Sequence, residues 1–480
     1  MMTSKAKEKN KNSGASSSII NKQFTSAKLS ALWKVVKAIF VTLLFGSLGV
    51  KRYISQGGPF TPLTCSVFGY KCERKYDVPY RGGYVHEDYV AAEHVFKENF
   101  YAGEEVGAGV SAFVNGELVL DIQGGWQNVE EQIPYTENTL QMVFSSTKVL
   151  AGIVVARFVD QGILSYNEKI TAYWSEFGQG NKENVTLGDL MLHAGGVGYL
   201  DVPITSAEAE DPERWSNILA SQPHNFGGIR TRSYNSVTYG WYINEILKRT
   251  ANTTVHSVAV NELNKQYNIE WNLKPYQRQY DDRIPPFYPG PIIFQIARLV
   301  ELVGGPVNFF KAMFQPNDIG TKSYYGVFLD GIAPTECRRL AERRIETPAI
   351  SGYTNAYSIA KLAAMMANGG KAVVGGEPDL LSPEGFALSS TRIEPPELDL
   401  VMGKAMPQEK GGWGVFNEIV IEGVEFSGWS GVGGSVFIWN QKHKIGFGYV
   451  MNANPSWESP DKRSIGILRQ IVKQALKKNM

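Results

Sequence analysis

Phe144-Ser145-Ser146-Thr147-Lys148 sets a serine three residues ahead of a lysine. On a helix that begins at the serine, residues three apart share a face, so hydroxyl and amine would meet. The helix start adds unpaired N–H groups at the same spot. A serine hydroxyl is a weak nucleophile until a neighbour accepts its proton, and a lysine buried in a cleft loses proton affinity through desolvation. The chemistry this pair could do is acyl transfer through a serine ester. Spacing alone does not decide it, since Ser4 and Lys7, Ser358 and Lys361, and Ser459 and Lys462 repeat the pattern.

What sets Ser145 apart is the element it opens. An apolar run precedes it, and a helix is predicted from about Ser145 to Gln161, with Leu150, Ile153, Val154 and Phe158 on one face and Gly162 as stop signal. Upstream, Val90 to Phe100 reads as helix, and Ala108 to Ile122 as two strands turning at Asn115-Gly116. Downstream, Gly434 to Trp439 and Ile445 to Met451 read as paired strands, and Ile465, Leu468, Val472 and Leu476 mark a closing amphipathic helix. Early strands, a helical middle, late strands and a last helix predict an α+β fold, one sheet closed by both ends of the domain. In the middle, about residues 255–345, Pro285, Pro286, Pro289 and Pro291 break any helix, and Ile292 to Val303 reads as a packed apolar helix.

The N-terminal part reads differently. Residues 1–28 are rich in Lys, Ser and Asn, with Glu8 their only acid, and predict a disordered basic tail. Leu29 to Val50 is apolar except for Lys34 and Lys37, which could snorkel, and predicts a single-pass membrane anchor. Residues 51–84 read as a stalk holding Cys65 and Cys72, and 85–480 as the catalytic domain. A modest lysine bias and the sequons at Asn184 and Asn252 predict a cytoplasmic tail and a lumenal or extracellular domain, with a mitochondrial presequence as the alternative. Forty-eight basic residues against 47 acidic give no basis for nucleic-acid binding, and three cysteines fit no zinc pattern.

Further stretches carry a resemblance. Phe144 to Lys148 resembles the first active-site box of class C β-lactamases, family VIII carboxylesterases and their animal relatives, the membrane β-lactamase domain-containing proteins nearest among them. Tyr234-Asn235-Ser236-Val237-Thr238-Tyr239-Gly240-Trp241 looks like the second box, and Gly428-Trp429-Ser430-Gly431-Val432-Gly433-Gly434-Ser435 like the third. Thr186 to Gly196 and Met366 to Gly370 are similar to two further family segments. The resemblance implies a β-lactamase/transpeptidase-like fold in which an antiparallel sheet is flanked by terminal helices, with a mainly helical middle.

It also implies roles. Ser145 would be the nucleophile, and Lys148 and Tyr234 would move its proton. Backbone N–H groups of Ser145 and Val432 would form an oxyanion hole on a strand edge built from Trp429, Ser430 and Gly431. His193 falls in a structural segment. Two departures stand out: Ser236 where many members carry Asn, and Trp429 where β-lactamases carry Lys and many relatives His. Both point away from β-lactams and toward a small-molecule or peptide ester or amide, with no metal or organic cofactor. The alternative is a membrane-anchored scaffold that has lost turnover.

Overall fold

The computed structural model describes residues 78–291, 319–332, 338–454, 460 and 462–478, together with Lys34, Lys37, Ala38, Val41, Gly46, Phe60 and Ile296. Its centre is a ten-stranded sheet. The strands on its main path are β1 (Tyr80–Val85), β2 (Gly107–Val114), β3 (Glu117–Asn128), β4 (Arg392–Asp399), β5 (Lys404–Glu409), β6 (Gly414–Ile421), β7 (Val424–Ser430), β8 (Val436–Asn440) and β9 (Ile445–Met451). Their order is β1-β3-β2-β9-β8-β7-β6-β5-β4, every neighbour antiparallel, with Ile133–Pro134 pairing beside β3. Early and late strands meet where Met451 faces Ala108 and Ile445 faces Val114.

The alternation along β9 shows how one strand serves two layers. Ile445, Phe447 and Tyr449 point to one face, where they join Phe96 and Phe100 of α1 (Val90–Tyr101) and Ile467, Leu468 and Ile471 of the last helix, α6 (Lys462–Lys478). Gly446 and Gly448 face the other way, against α5 (Ala356–Ala367). A Cβ on Gly446 would lie 2.3 Å from the Ala364 nitrogen, so glycine there lets the helix lie directly on the sheet. Behind α5, the second core joins it to α2 (Thr147–Asp160) and α3 (Thr238–Ala251). A short helix, α4 (Ile319–Tyr325), completes this helical layer.

The α+β class and both flanking helices are as expected, and the Asn115-Gly116 turn joins β2 to β3. The C-terminal strand starts at Val436 rather than Gly434, because Gly434 donates its N–H to the Gly431 carbonyl within a tight turn. Residues 80–84, read as the end of the stalk, form the edge strand β1. Its Gly83 approaches β3 so closely that a Cβ would stand 2.3 Å from the Asp121 carbonyl oxygen.

The single-pass membrane placement, with a lumenal or extracellular catalytic domain, is corrected: among the described residues no helix is long and apolar enough to cross a membrane. Lys34 and Lys37 leave only Ala38–Val50 uninterrupted, short of the roughly 20 apolar residues that a span requires. Of 29–50, Lys34, Lys37, Ala38, Val41 and Gly46 are described, all helical and exposed. The rest of that segment lies outside the described residues, as do the tail, the three cysteines and, apart from Ile296, the run Ile292 to Val303. Of the sequon asparagines, Asn184 accepts a hydrogen bond from Lys169 at 2.8 Å and Asn252 is the left-handed C-cap of α3.

Candidate active site

Ser145 lies in a single 3-10 turn, Phe144–Ser146, that leads into α2. The turn requires Phe144 to adopt φ +44°, a region that strains a non-glycine residue by about 1–3 kcal/mol. Packing holds it there: the ring is buried with Leu140, Met142, Ile284 and Tyr353, and stands 5.0 Å from the Phe287 ring.

Lys148 follows one turn later and is buried. Its Nζ lies 2.7 Å from the Ser236 carbonyl, 3.1 Å from the Ala349 carbonyl and 3.3 Å from Ser145 Oγ. Burial drives its pKa well below the ordinary lysine value and so favours the neutral amine. A neutral amine has two N–H donors and one lone pair. The two carbonyls can only accept, so in the neutral form they take the two N–H groups and a lone pair would remain on the side of Ser145 Oγ.

Tyr234 approaches from the second box, its hydroxyl donating to Ser145 Oγ at 2.7 Å. Burial, then the neighbouring Tyr324, raises its pKa, against opposing hydrogen bonds to Ser145 and Trp429, so the phenol keeps its proton. Its backbone is held at both ends: the N–H donates to Asp399 Oδ1 at 3.2 Å, and the carbonyl accepts from Ser323 Oγ of α4 at 2.6 Å. The Trp429 ring stacks on Tyr234 at 5.6 Å and 18°.

The third box closes the site. β7 ends at Ser430, and the next turn lies against the segment before Ser145. A Cβ on Gly431 would stand 2.2 Å from the Val143 carbonyl oxygen, so only glycine fits there. Ser435 Oγ donates to that same carbonyl at 2.7 Å and lies 3.1 Å from Ser146 Oγ. Val432 packs into the Phe144 cluster. Arg463 at the start of α6 braces the turn by donating to the Gly433 carbonyl at 2.6 Å while paired with buried Glu105. The backbone N–H groups of Ser145 and Val432 donate to no group among the described residues.

The structure thus gathers Ser145, Lys148, Tyr234, Trp429, Ser430, Gly431 and Val432 around one spot. Ser358 and Lys361 do not repeat the arrangement. Ser358 Oγ donates to Asn355 at 2.7 Å, while Lys361 Nζ donates to the Tyr267 carbonyl and pairs with Glu377. Ser4 and Ser459 lie outside the described residues. His193 does not reach Ser145. It is buried behind Tyr234, ring centroids 4.9 Å apart, and its Nδ1 accepts the Asn235 N–H. Burial, with nearby Arg232 adding to it, lowers its pKa and disfavours the protonated ring. Ser236, which stands where many members carry Asn, turns its hydroxyl to the Ser323 carbonyl and lends its own carbonyl to Lys148. The supports at Ala349, Asp399 and Arg463 carried no local signal. Among the described residues no cluster of His, Cys, Asp or Glu could hold a metal ion.

The family model of the beta-lactamases matches residues 92–470, most of the chain. The chain belongs to the beta-lactamase family. Among family relatives, it is 23% identical over 282 residues to the esterase/beta-lactamase LipL of Mycobacterium tuberculosis, the match covering 57% of this chain and 61% of LipL. The chain thus matches about three-fifths of the length of that relative. A penicillin-binding protein homolog from Caulobacter crescentus shares the fold with a TM-score of 0.68 and 24% identity, over 83% of this chain and 100% of that one. A family VIII carboxylesterase does so with a TM-score of 0.69 and 23% identity, over 82% and 99% of the two chains.

Proposed function

We propose that this chain is a serine hydrolase that cleaves an ester or amide bond through an acyl-enzyme on Ser145. The observation that carries the proposal is the contact of Lys148 Nζ with Ser145 Oγ at 3.3 Å, in a buried amine that also meets the Ser236 and Ala349 carbonyls. As Ser145 Oγ bonds to the substrate carbonyl carbon, its proton passes to Lys148 Nζ. The unpaired N–H groups of Ser145 and Val432 hold the developing oxyanion. When the scissile bond breaks, Tyr234 gives its proton to the leaving oxygen or nitrogen and is reprotonated from Lys148. Water then attacks the acyl-enzyme by the same proton route, releasing the acid and restoring Ser145.

Tyr234 is thereby the neutral acid of the first step. Tyr234→Phe is expected to lower kcat for an aryl ester by about 10² or more, the usual contribution of a positioned proton donor, with little change in KM. Full activity in that variant, read by steady-state kinetics, would remove Tyr234 from the mechanism.

Substrate preference follows from the wall beside Tyr234. Trp429 stacks there, Tyr324 reaches Met402 Sδ at 3.6 Å, and Val401 and Met402 hang from Asp399 through backbone N–H bonds. This wall is apolar, and Trp429 places no cation to meet a carboxylate. Short-chain aryl esters are therefore expected to be hydrolysed with a higher kcat/KM than cephalosporins. Trp429→Lys should raise the cephalosporin-to-ester ratio by about tenfold, one charge-assisted hydrogen bond in size. The test is to compare both substrates with both proteins. Faster cephalosporin cleavage by the wild type contradicts the preference, and no turnover of any ester or amide favours the scaffold reading.

A further inference from the structure

A second cavity lies apart from this chemistry. Its volume is about 420 Å³, and none of Ser145, Lys148, Tyr234 or Trp429 lines it. The floor is made by Trp215 and Trp241, both buried, which meet edge to face with centroids 4.8 Å apart at 83°. Lys248, Lys274 and Arg344 stand on its walls with Glu210 and Glu346.

Some of these groups are already engaged. Lys248 pairs with Glu245 at 2.7 Å, and Glu346 accepts the His256 N–H at 2.7 Å. Lys274 and Arg344 form no ion pair among the described residues. Two cations that form no ion pair, sharing the walls with Glu210 and Glu346, stand over a buried aromatic floor and make a site of mixed character. An arginine fork meets a carboxylate through two parallel hydrogen bonds, and a lysine adds a point charge. An indole pair offers faces and edges that suit another aromatic ring. The size falls within the roughly 300–1,000 Å³ of small-molecule pockets.

We propose that this cavity is a second binding site, separate from the Ser145 centre, for a small aromatic carboxylate: Lys274 and Arg344 take the carboxylate, and the Trp215–Trp241 floor takes the ring. Neither the family match nor the acyl-transfer reading enters this assignment, so the two stand or fall separately.

Calorimetric titration of the full chain with indole-3-acetate tests it, with tryptamine as the control that keeps the ring and reverses the charge. Wild type and Ser145→Ala are expected to bind indole-3-acetate equally, and tryptamine at least about tenfold more weakly. The double variant Lys274→Ala/Arg344→Ala should lose at least about tenfold in affinity for indole-3-acetate while keeping its near-ultraviolet circular dichroism. Because Arg344 is exposed, Arg344→Gln alone gives a second, milder reading in the same direction. The proposal is overturned if indole-3-acetate does not bind, if tryptamine binds as well, if these variants bind unchanged, or if blocking Ser145 with a fluorophosphonate abolishes binding.

Discussion

Lys148→Ala is expected to lower kcat/KM for an aryl ester at neutral pH by about 10² or more, and to change the shape of the pH profile as well as its height. On the proposed mechanism the active amine is the deprotonated one, a form that burial favours by lowering its pKa well below 10.5. Activity should therefore rise with pH along a limb whose midpoint lies below the ordinary lysine range, and that limb should vanish in the variant. Stability follows the same titration. Between the lowered folded value and the unfolded one, the unfolded chain binds a proton that the folded chain does not, so the wild type gains stability as pH rises through that window. Lys148→Ala removes that gain. Kinetics and denaturant melts across pH check both, and an unchanged acidic limb in the variant contradicts the assignment of Lys148 as base.

The largest expected loss comes from Ser145→Ala, on the order of 10⁶ in kcat, comparable with removing the nucleophile of a serine protease. The fold should survive. Among the described residues the hydroxyl meets Tyr234 at 2.7 Å and Lys148 at 3.3 Å, and alanine leaves the turn before α2 intact. Leaving the Tyr234 hydroxyl without its acceptor costs about 1–3 kcal/mol. Ser358→Ala is the matched control. Ser358 Oγ accepts the Glu270 N–H at 2.8 Å and bonds to Asn355 at the start of α5, so its loss should lower the melting temperature and leave kcat intact. If Ser145→Ala hydrolyses esters at the wild-type rate, the nucleophile lies elsewhere.

The parts of the site that were legible in the sequence are those written in local patterns. Ser145 and Lys148 are one helical turn apart, Asn115-Gly116 marks its own hairpin, and the glycines of the third box announce a close approach of backbones. The groups that tune the site were not legible, because they act through long-range contacts. The carbonyls of Ser236 and Ala349 that accept from Lys148 belong to no side-chain pattern, and Asp399 reaches Tyr234 from a strand at the far edge of the sheet. That edge strand, β4, carries Pro395 and Pro396 and only one buried residue. An edge position tolerates proline and needs no strict alternation, so the period-two signal was absent. The apolar stretch 29–50 misled in the other direction, since composition alone suggested a span that Lys34 and Lys37 cut short.

If the chain works through an acyl-enzyme, Ser145 Oγ must take a covalent adduct from an acyl-like electrophile. The purified chain is treated with a fluorophosphonate, digested, and the modified peptide sequenced by mass spectrometry, with Ser145→Ala treated in parallel. One adduct is expected, on Ser145, in the wild type and none in the variant while both remain folded. Equal labelling of the two proteins, or an adduct on another serine, would contradict it.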